Sequence, residues 1–469
     1  MELRIRPAMA LREYQKEPVR KGIEFFKNEK SVPSIIVAPT AAGKSLYAAK
    51  IAEGVINELD GSIVIVQPNI ELLEQNLEKY RMLGGHASVY SASMDSRKIG
   101  RVTFATIGSI KNIGHIFKQK GFKYLLVDEI HLYPRESDSM LGKFLKDSEI
   151  SHVLGLTATP LKLQTNLDIY RNTYSKLVML TSRSGKGNFF KEIIHVTQIQ
   201  ELTKLGYWSR LEYELYDVSS AGLVYNSTKA EYTEASILKM YELNNVNERI
   251  KYKISELPDR KSILVFVPSV AAARKLATEV PNSAAVYGDM PKDERAYIIK
   301  KFKEGKIRVV FNMQVLTTGF DHPELDCLIF GRVTSSLSLY YQMCGRGSRI
   351  HPDKKDCLIV DFGGLVQRFG KVEDFYYEQD RSGVWKLYGA NNILLSGIPI
   401  SEIGKHTHET EMREKKIIMT FGVHKGIEVK LVPKSYRDWA LGSVVWNQYN
   451  SHIKDELERI RKIETLQNL

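Results

Sequence analysis

The chain is poor in cysteine. Three occur, Cys327, Cys344 and Cys357, and none belongs to a CxxC pair. An odd count without metal-ligand spacing excludes a disulfide framework and a zinc site, and fits small side chains in a reducing compartment. Long apolar runs are also lacking, and none could span a bilayer. The opening stretch MELRIRPAMALREYQ has no apolar core of the signal-peptide kind, so a cytoplasmic protein is expected. Low-complexity tracts and short repeats are absent. Acid is in deficit: 55 Asp and Glu stand against 67 Lys and Arg, a formal net charge of +12. Such an excess favours polyanionic partners through phosphate neutralisation, although many basic proteins bind no nucleic acid.

What is present is a repeated alternation of short β-branched runs with amphipathic stretches such as Ile70–Tyr80. Apolar strands read at Ser34–Ala38, Ser62–Gln67, Arg101–Ala105, Tyr124–Val127 and His152–Leu156. The pattern restarts at Ser262–Val267, Ala284–Tyr287, Arg308–Phe311, Cys327–Phe330 and Cys357–Val360. Continuous apolar strands between helices imply parallel sheets covered on both faces. With 469 residues, two or three domains are expected. The chain divides into an α/β lobe over 1–164, a linker over 165–245, a second α/β lobe over 246–367 and an accessory module over 368–469. Ser182–Asn188, rich in glycine and serine, reads as a flexible loop.

The run Ala38-Pro39-Thr40-Ala41-Ala42-Gly43-Lys44-Ser45 follows the first strand and opens a helix, the context a phosphate-binding loop needs. Backbone N–H groups of Thr40 to Gly43 and of the helix start would face phosphates. Lys44 adds charge toward the β- and γ-phosphates, and Ser45 offers a hydroxyl to Mg²⁺. Ala38 stands where the motif has its first glycine, and Ala41 where another is common. Because alanine disfavours positive φ, the loop is expected to avoid that conformation at both. The strand Tyr124–Val127 ends in Asp128-Glu129-Ile130-His131. Carboxylates at the carboxyl end of a parallel strand lie beside such a loop, so Asp128 would hold Mg²⁺ and Glu129 would orient and deprotonate a water. Gly155-Leu156-Thr157-Ala158-Thr159-Pro160 follows another strand and could relay between the carboxylates and the second lobe.

Taken in order, these segments resemble the motifs of superfamily 2 helicases and translocases. Leu11-Arg12-Glu13-Tyr14-Gln15 looks like the adenine-recognition motif, Ala38–Ser45 motif I, Asp128–His131 a D-E-x-H box, and Thr157-Ala158-Thr159 motif III. Ile263–Pro268 looks like motif IV. Val315–Asp321 resembles motif V, and Gln342–Arg349 fits Q-x-x-G-R-x-x-R, motif VI. The branch with RecG-like, XPB-like and phage UvsW-type enzymes is the most similar. DEAD-box RNA helicases fit less well, because the box ends in His131.

The resemblance implies two RecA-like lobes with ATP and Mg²⁺ between them. It implies that Arg12 and Gln15 read adenine, and that Gly319 and Asp321 approach the nucleotide and ribose. Gln342 would position water or the γ-phosphate, and Arg346 and Arg349 would act as arginine fingers. Nucleic-acid contacts are implied at Pro68, Asn69, Thr106, Ser269, Gly288 and Thr317, directed at phosphates and so without base preference.

In the accessory module, Met419–Gly426 and Val432–Trp439 resemble a small F-G-x-x-K-G … P-x-S-Y-x-x-W unit of phage and bacterial nucleic-acid enzymes. Tyr436 and Trp439 either fill a mini-core, the favoured reading, or offer a stacking surface; Lys425, Lys430 and Lys434 could reach phosphate. The charged run Asp455–Lys462 reads as a solvated helix.

The expected function is an ATP-dependent helicase or translocase on branched or forked DNA. A duplex translocase without unwinding, an RNA helicase and a nucleotide-gated binding protein are the alternatives. The expected partner is DNA, single-stranded, forked or branched, with RNA left open. No membrane is expected, and a monomer is compatible.

Overall fold

Four-residue strands of Ile and Val with every position buried need cover on both faces, and the first strand, Ser34–Val37 (β1), has it. The structure is a computed structural model. It describes residues 10–133, 139–181, 188–216, 220, 222–316, 320–404, 419, 422–424, 429, 432–444, 453–454, 457–458 and 460–461. Expectations placed on Ser182–Gly187, Thr317–Gly319, Thr420, Phe421, Lys425, Gly426 and Lys430 lie outside these.

After β1 the first lobe runs through Ile63–Gln67 (β2), Ser88–Ser91 (β3), Ser96–Arg97 (β4), Val102–Thr106 (β5), Tyr124–Val127 (β6) and His152–Thr157 (β7). Leu161–Leu167 (β8) and Thr173–Met179 (β9) form a separate antiparallel hairpin, and Glu192–Val196 (β10) returns to the sheet. Among the described residues the sheet order is β10-β1-β7-β6-β2-β5-β3-β4, parallel except for the short β3–β4 pair.

The second lobe contains Leu211–Leu215 (β11), Ile263–Phe266 (β12), Ser283–Tyr287 (β13), Val309–Met313 (β14), Cys327–Phe330 (β15) and Cys357–Asp361 (β16), all parallel in the order β11-β16-β15-β12-β14-β13. The three cysteines are buried and free. Among the described residues no helix is long and apolar enough to cross a membrane.

Two expected divisions need correction. The segment 165–245 is no linker: β10 edges the first sheet beside β1, and β11 edges the second beside β16. Glu192, Glu212 and Glu214 break the apolar runs there, as is usual for edge strands, which need burial on fewer sides. The accessory module does not begin at 368 either. A hairpin of Tyr376–Gln379 (β17) and Trp385–Tyr388 (β18) belongs to the unit that extends through Gly404. Gln198 fixes it, donating to the Tyr377 carbonyl at 2.7 Å and accepting the Tyr377 N–H at 3.1 Å.

Residues 405–469 form a second compact unit. Its described core is mainly aliphatic: Met419, Val429, Val432, Ala440, Ile453 and Leu457. Tyr436 packs against that core, but Trp439 is 51% exposed, so the expectation that both aromatics fill the interior holds for one of them.

Candidate active site

All strands that carry motifs point their carboxyl ends to one edge of their sheet, so the loops that follow them can converge. The phosphate loop leaves β1 with the Ala38 N–H still bonded to the Thr157 carbonyl, at 2.9 Å. It then turns through Ala41, whose φ is 68°, and Gly43, whose φ is 88°. Ala41 corrects the expectation above: the loop uses the left-handed region without a glycine, at a cost of about 1–2 kcal/mol. Gly43 is constrained twice, since a Cβ there would lie 2.5 Å from Gln15 Nε2. Gly43 caps the helix Lys44–Glu58 without a side-chain bond. The free N–H groups of that helix start are a ready seat for an anion.

Gln15 is spent on this loop. Its Nε2 donates to the Ala42 carbonyl at 3.0 Å, and its Oε1 accepts the Arg12 N–H at 2.9 Å. Tyr14 donates to the same Ala42 carbonyl at 3.1 Å. Gln15 does not line the cleft, whereas Arg12 does, with its guanidinium 4.3 Å above the Tyr207 ring. Tyr207 was invisible to motif reading because it comes from the presumed linker.

Asp128 and Glu129 close β6. Glu129 takes a left-handed conformation, φ 48° and ψ 49°, which swings its carboxylate back toward the phosphate loop. Its Oε1 lies 3.4 Å from Lys44 Nζ, and its Oε2 lies 3.4 Å from His131 Nδ1. Backbone strain of this kind clusters at functional sites. His131 joins the two lobes. The Gln342 amide donates to its Nε2 at 3.1 Å, which leaves the ring proton on Nδ1, 2.8 Å from Thr157 Oγ1. Thr157 Oγ1 also accepts the Thr159 N–H at 3.0 Å. Gln342, expected to face water or phosphate, is thus engaged with His131, whose other ring nitrogen meets Thr157.

From the second lobe, the helix Leu337–Gly347 brings Arg346 to the cleft, with Arg349 just beyond. Arg346 Nη1 donates to the Phe320 carbonyl at 2.6 Å, and Arg349 Nε pairs with Asp321 at 2.6 Å. The lobes meet closely, since a Cβ on Gly345 would lie 2.1 Å from Thr40 Oγ1. Five basic side chains, Arg12, Lys44, Lys79, Arg346 and Arg349, face three carboxylates, Asp128, Glu129 and Asp321, in one cleft. Thr40 Oγ1, Thr159 Oγ1 and Arg349 Nη1 are buried there without partners. Excess positive charge with orphaned donors is the chemistry of a polyanion site.

The electrostatics agree. Burial pushes Arg346 down to about 9 and Arg349 beside it adds to the shift; burial also lowers Arg349 itself. Both would gain from a phosphate. Burial acts to raise Glu129, but the Lys44 ammonium and then His131 outweigh it and hold the carboxylate below its usual range. Asp128 is raised to about 6, by burial first and by Glu129 second. Asn76 donates to its Oδ2 at 3.0 Å, and the Glu129 N–H to its Oδ1 at 2.9 Å. Motif reading missed Gln75, Asn76 and Lys79 of the helix Ile70–Met82. Asn76 had left a signal, because it sits on the buried face between Leu73, Leu77 and Tyr80.

The sign of the Asp128 shift gives a prediction. Its raised value favours the protonated fold, so the stability it contributes without nucleotide is present near pH 4 and is lost as pH rises through about 6. Cation binding needs the carboxylate and runs the other way. Mg²⁺-dependent binding of a non-hydrolysable ATP analogue, titrated from pH 5 to 8, should weaken below about 6. A flat profile would remove Asp128 from the metal site.

The candidate nucleic-acid contacts lie farther along the same sheet edges. Asn69 follows β2 and Thr106 ends β5; Ser269 and Gly288 follow β12 and β13. Asn69 Oδ1 caps its helix by accepting the Leu72 N–H at 2.9 Å, and Ser269 Oγ does the same for Ala272 at 3.1 Å. Thr106 Oγ1 is 2.9 Å from Ser109 Oγ. Pro68 is half-buried and Gly288 exposed. The Asn69 and Ser269 oxygens therefore have capping duties, and the helix starts they cap are what they present.

Fold and cleft define a two-lobed P-loop protein. Residues 8–162 match the family described as type III restriction enzyme, res subunit, and residues 245–351 match the helicase conserved C-terminal domain. The chain belongs to the superfamily 2 helicases, a family of ATP-hydrolysing enzymes. It is 27% identical over 429 residues to the putative mitochondrial ATP-dependent helicase irc3 of Schizosaccharomyces pombe, covering 82% of this chain and 66% of that one. It is 26% identical to the DNA 3'-5' translocase XPB2 of Sulfurisphaera tokodaii, covering 76% and 82%. Its fold is similar to that of the type ISP restriction-modification enzyme LlaBIII bound to DNA, at a TM-score of 0.55 and 18% identity, over 76% of this chain and 28% of that one. The chain thus spans just under two thirds of the fission-yeast relative.

Proposed function

We propose that the chain is an ATP-driven motor on DNA that acts at forked or branched substrates. The observation that carries this reading is the split cleft: Lys44, Asp128 and Glu129 stand on one lobe, and Arg346 and Arg349 on the other, around one cavity. A triphosphate seated there would be gripped by both lobes, so closure and hydrolysis are linked. Lys44 and the N–H groups at the start of its helix hold the phosphates. Glu129, kept ionised by Lys44, takes a proton from the attacking water. Arg349 Nη1 meets the charge that develops on the transferred group. The charge of a bound Mg²⁺ would help to neutralise the triphosphate. Ser45 and Asp128 fit the cation as two oxygen donors that leave room for phosphate and water, as this ion prefers. Arg12 and Tyr207 offer the nucleobase a flat flanking surface, with Gln15 behind them bracing the loop.

Once hydrolysis removes the bridging group, the lobes part. Helix starts at Asn69 in one lobe and Ser269 in the other would then hold backbone phosphates in alternation, stepping the strand. DNA rather than RNA is favoured by the XPB2 and LlaBIII likenesses. A duplex translocase that does not unwind is the second reading, favoured by the restriction-subunit match of the first lobe. ATPase and unwinding assays on single-stranded, duplex, forked and four-way DNA, with matching RNA, test all of this. Stimulation by DNA with unwinding of forks is the expected result. Stimulation by duplex without unwinding selects the second reading, and no stimulation by any nucleic acid overturns both.

A further inference from the structure

The β8–β9 hairpin has no part in the cleft chemistry, yet it grows directly from it. Ala158 and Thr159 line the cleft, Pro160 follows, and β8 begins at Leu161. Seven residue pairs, from Leu161↔Met179 to Leu167↔Thr173, make an arm about 23 Å long. Its base is buried at Leu161, Leu177 and Met179. The bracing runs outward from the base: the Gly397 N–H donates to the Leu177 carbonyl at 2.6 Å, and at the fifth pair Ser175 Oγ donates to the Thr228 carbonyl at 2.5 Å.

Beyond that pair the arm is built differently. Leu167 is 65% exposed, Ile169 88% and Tyr170 79%. An aliphatic and an aromatic side chain held in water at the end of an arm call for a partner. The tip that carries them is ordered by Asp168. Its Oδ1 accepts the N–H groups of Tyr170 and Asn172, both at 2.8 Å, and its Oδ2 accepts Asn172 Nδ2 at 3.1 Å. These bonds hold the Asp168 carboxyl below its usual range. Asp168 is the only acid between Leu161 and Met179, against Lys162, Arg171 and Lys176, so the arm suits a polyanion. The flat ring of Tyr170 beside the apolar Ile169, on a basic arm, matches the face of a nucleobase.

We propose that the β8–β9 hairpin is a strand-separating pin, with Ile169 and Tyr170 stacking on the terminal base pair of a duplex while the motor draws one strand past. This rests on the DNA-motor reading above. The rigid base transmits the state of Thr157 and Thr159 to the tip, because the strand follows them without a flexible joint.

The test compares the full chain with Ile169→Ser/Tyr170→Ser, in two assays: ATPase stimulated by single-stranded DNA, and unwinding of a forked duplex. Both side chains are exposed, so folding should be retained, as circular dichroism would verify. Unwinding should fall by roughly tenfold or more, the scale of one lost base-stacking contact, while stimulated ATPase stays within about twofold. Tyr170→Phe should unwind like the parent. Tyr170→Trp should show fluorescence quenching on forked DNA greater than on single strands. Loss of both activities would make the hairpin part of the motor and overturn the pin. So would unchanged unwinding, as for a protein-docking arm, or a parent that is stimulated but never unwinds. A parent with no stimulation would fail at the motor reading, a distinguishable result.

Discussion

Lys44→Ala should abolish ATP turnover, lowering it by at least about 10²–10³-fold, the scale at which one preorganised charge on a transferring group acts. Lys44 has two partners in prospect. Its Nζ is 3.4 Å from Glu129 Oε1. With a triphosphate bound it would turn to the phosphates. Removing it takes away the phosphate contact and also leaves Glu129 with less to hold its charge. Glu129 would then rise toward protonation, because burial is the first influence on it and Lys44 the first that opposes burial. The variant should lose both ATP affinity and its general base, so raising ATP cannot rescue it. Lys44→Arg keeps charge but cannot fit a compact ammonium site, so it should remain impaired. Equilibrium binding of a fluorescent ATP analogue and steady-state turnover separate the two losses. Substantial residual turnover in Lys44→Ala would contradict the phosphate-loop assignment.

The strands that could be read from the sequence are the central ones. β2, β6, β7, β12, β15 and their neighbours are apolar at nearly every position, since parallel strands covered on both faces must be. Their ends were legible to within a residue or so. The strands that escaped are edges and projections. In β10 and β11, Glu192, His195, Glu212 and Glu214 interrupt the apolar run, and β8 is exposed along most of its length. Such strands owe their place to a neighbour's hydrogen bonds, which no local pattern records. The cleft divides similarly. Its motif residues were legible because phosphate chemistry demands fixed residue types at fixed spacing. Lys79 and Tyr207 were not, since only the packing of the helix Ile70–Met82 and of the β10–β11 connection brings them in. Ala41 marks the limit of backbone inference: steric preference argued against a left-handed residue there, and the surrounding loop imposes one. The family motifs name Gln15 and Gln342 for their ligand-facing roles, whereas their amide bonds here brace the phosphate loop and join the lobes.

Arg349→Ala should leave ATP binding nearly intact and slow hydrolysis by about 10³–10⁵-fold if it is the principal finger. Binding survives because the loop, Lys44 and the helix start all belong to the first lobe. The choice between the two arginines rests on their committed bonds. Arg346 gives Nη1 to the Phe320 carbonyl, which ties it to the backbone just before Asp321. Arg349 gives Nε to Asp321 and keeps Nη1 buried without a partner in the cleft. A guanidinium anchored on one edge and open on the other can meet new negative charge without first breaking a bond, which makes it preorganised for the transition state. Asp321 orients the fork, and Gln75 Nε2 in turn steadies Asp321 at 3.3 Å. Arg349→Lys should not restore the rate, because an ammonium cannot bond the carboxylate and the phosphoryl group with one rigid plane. Single-turnover hydrolysis, with ATP-analogue affinity measured alongside, reads the two effects separately. Wild-type turnover in Arg349→Ala would pass the role to Arg346, whereas a matching loss of affinity would mean that the second lobe holds the ground state as firmly as the transition state.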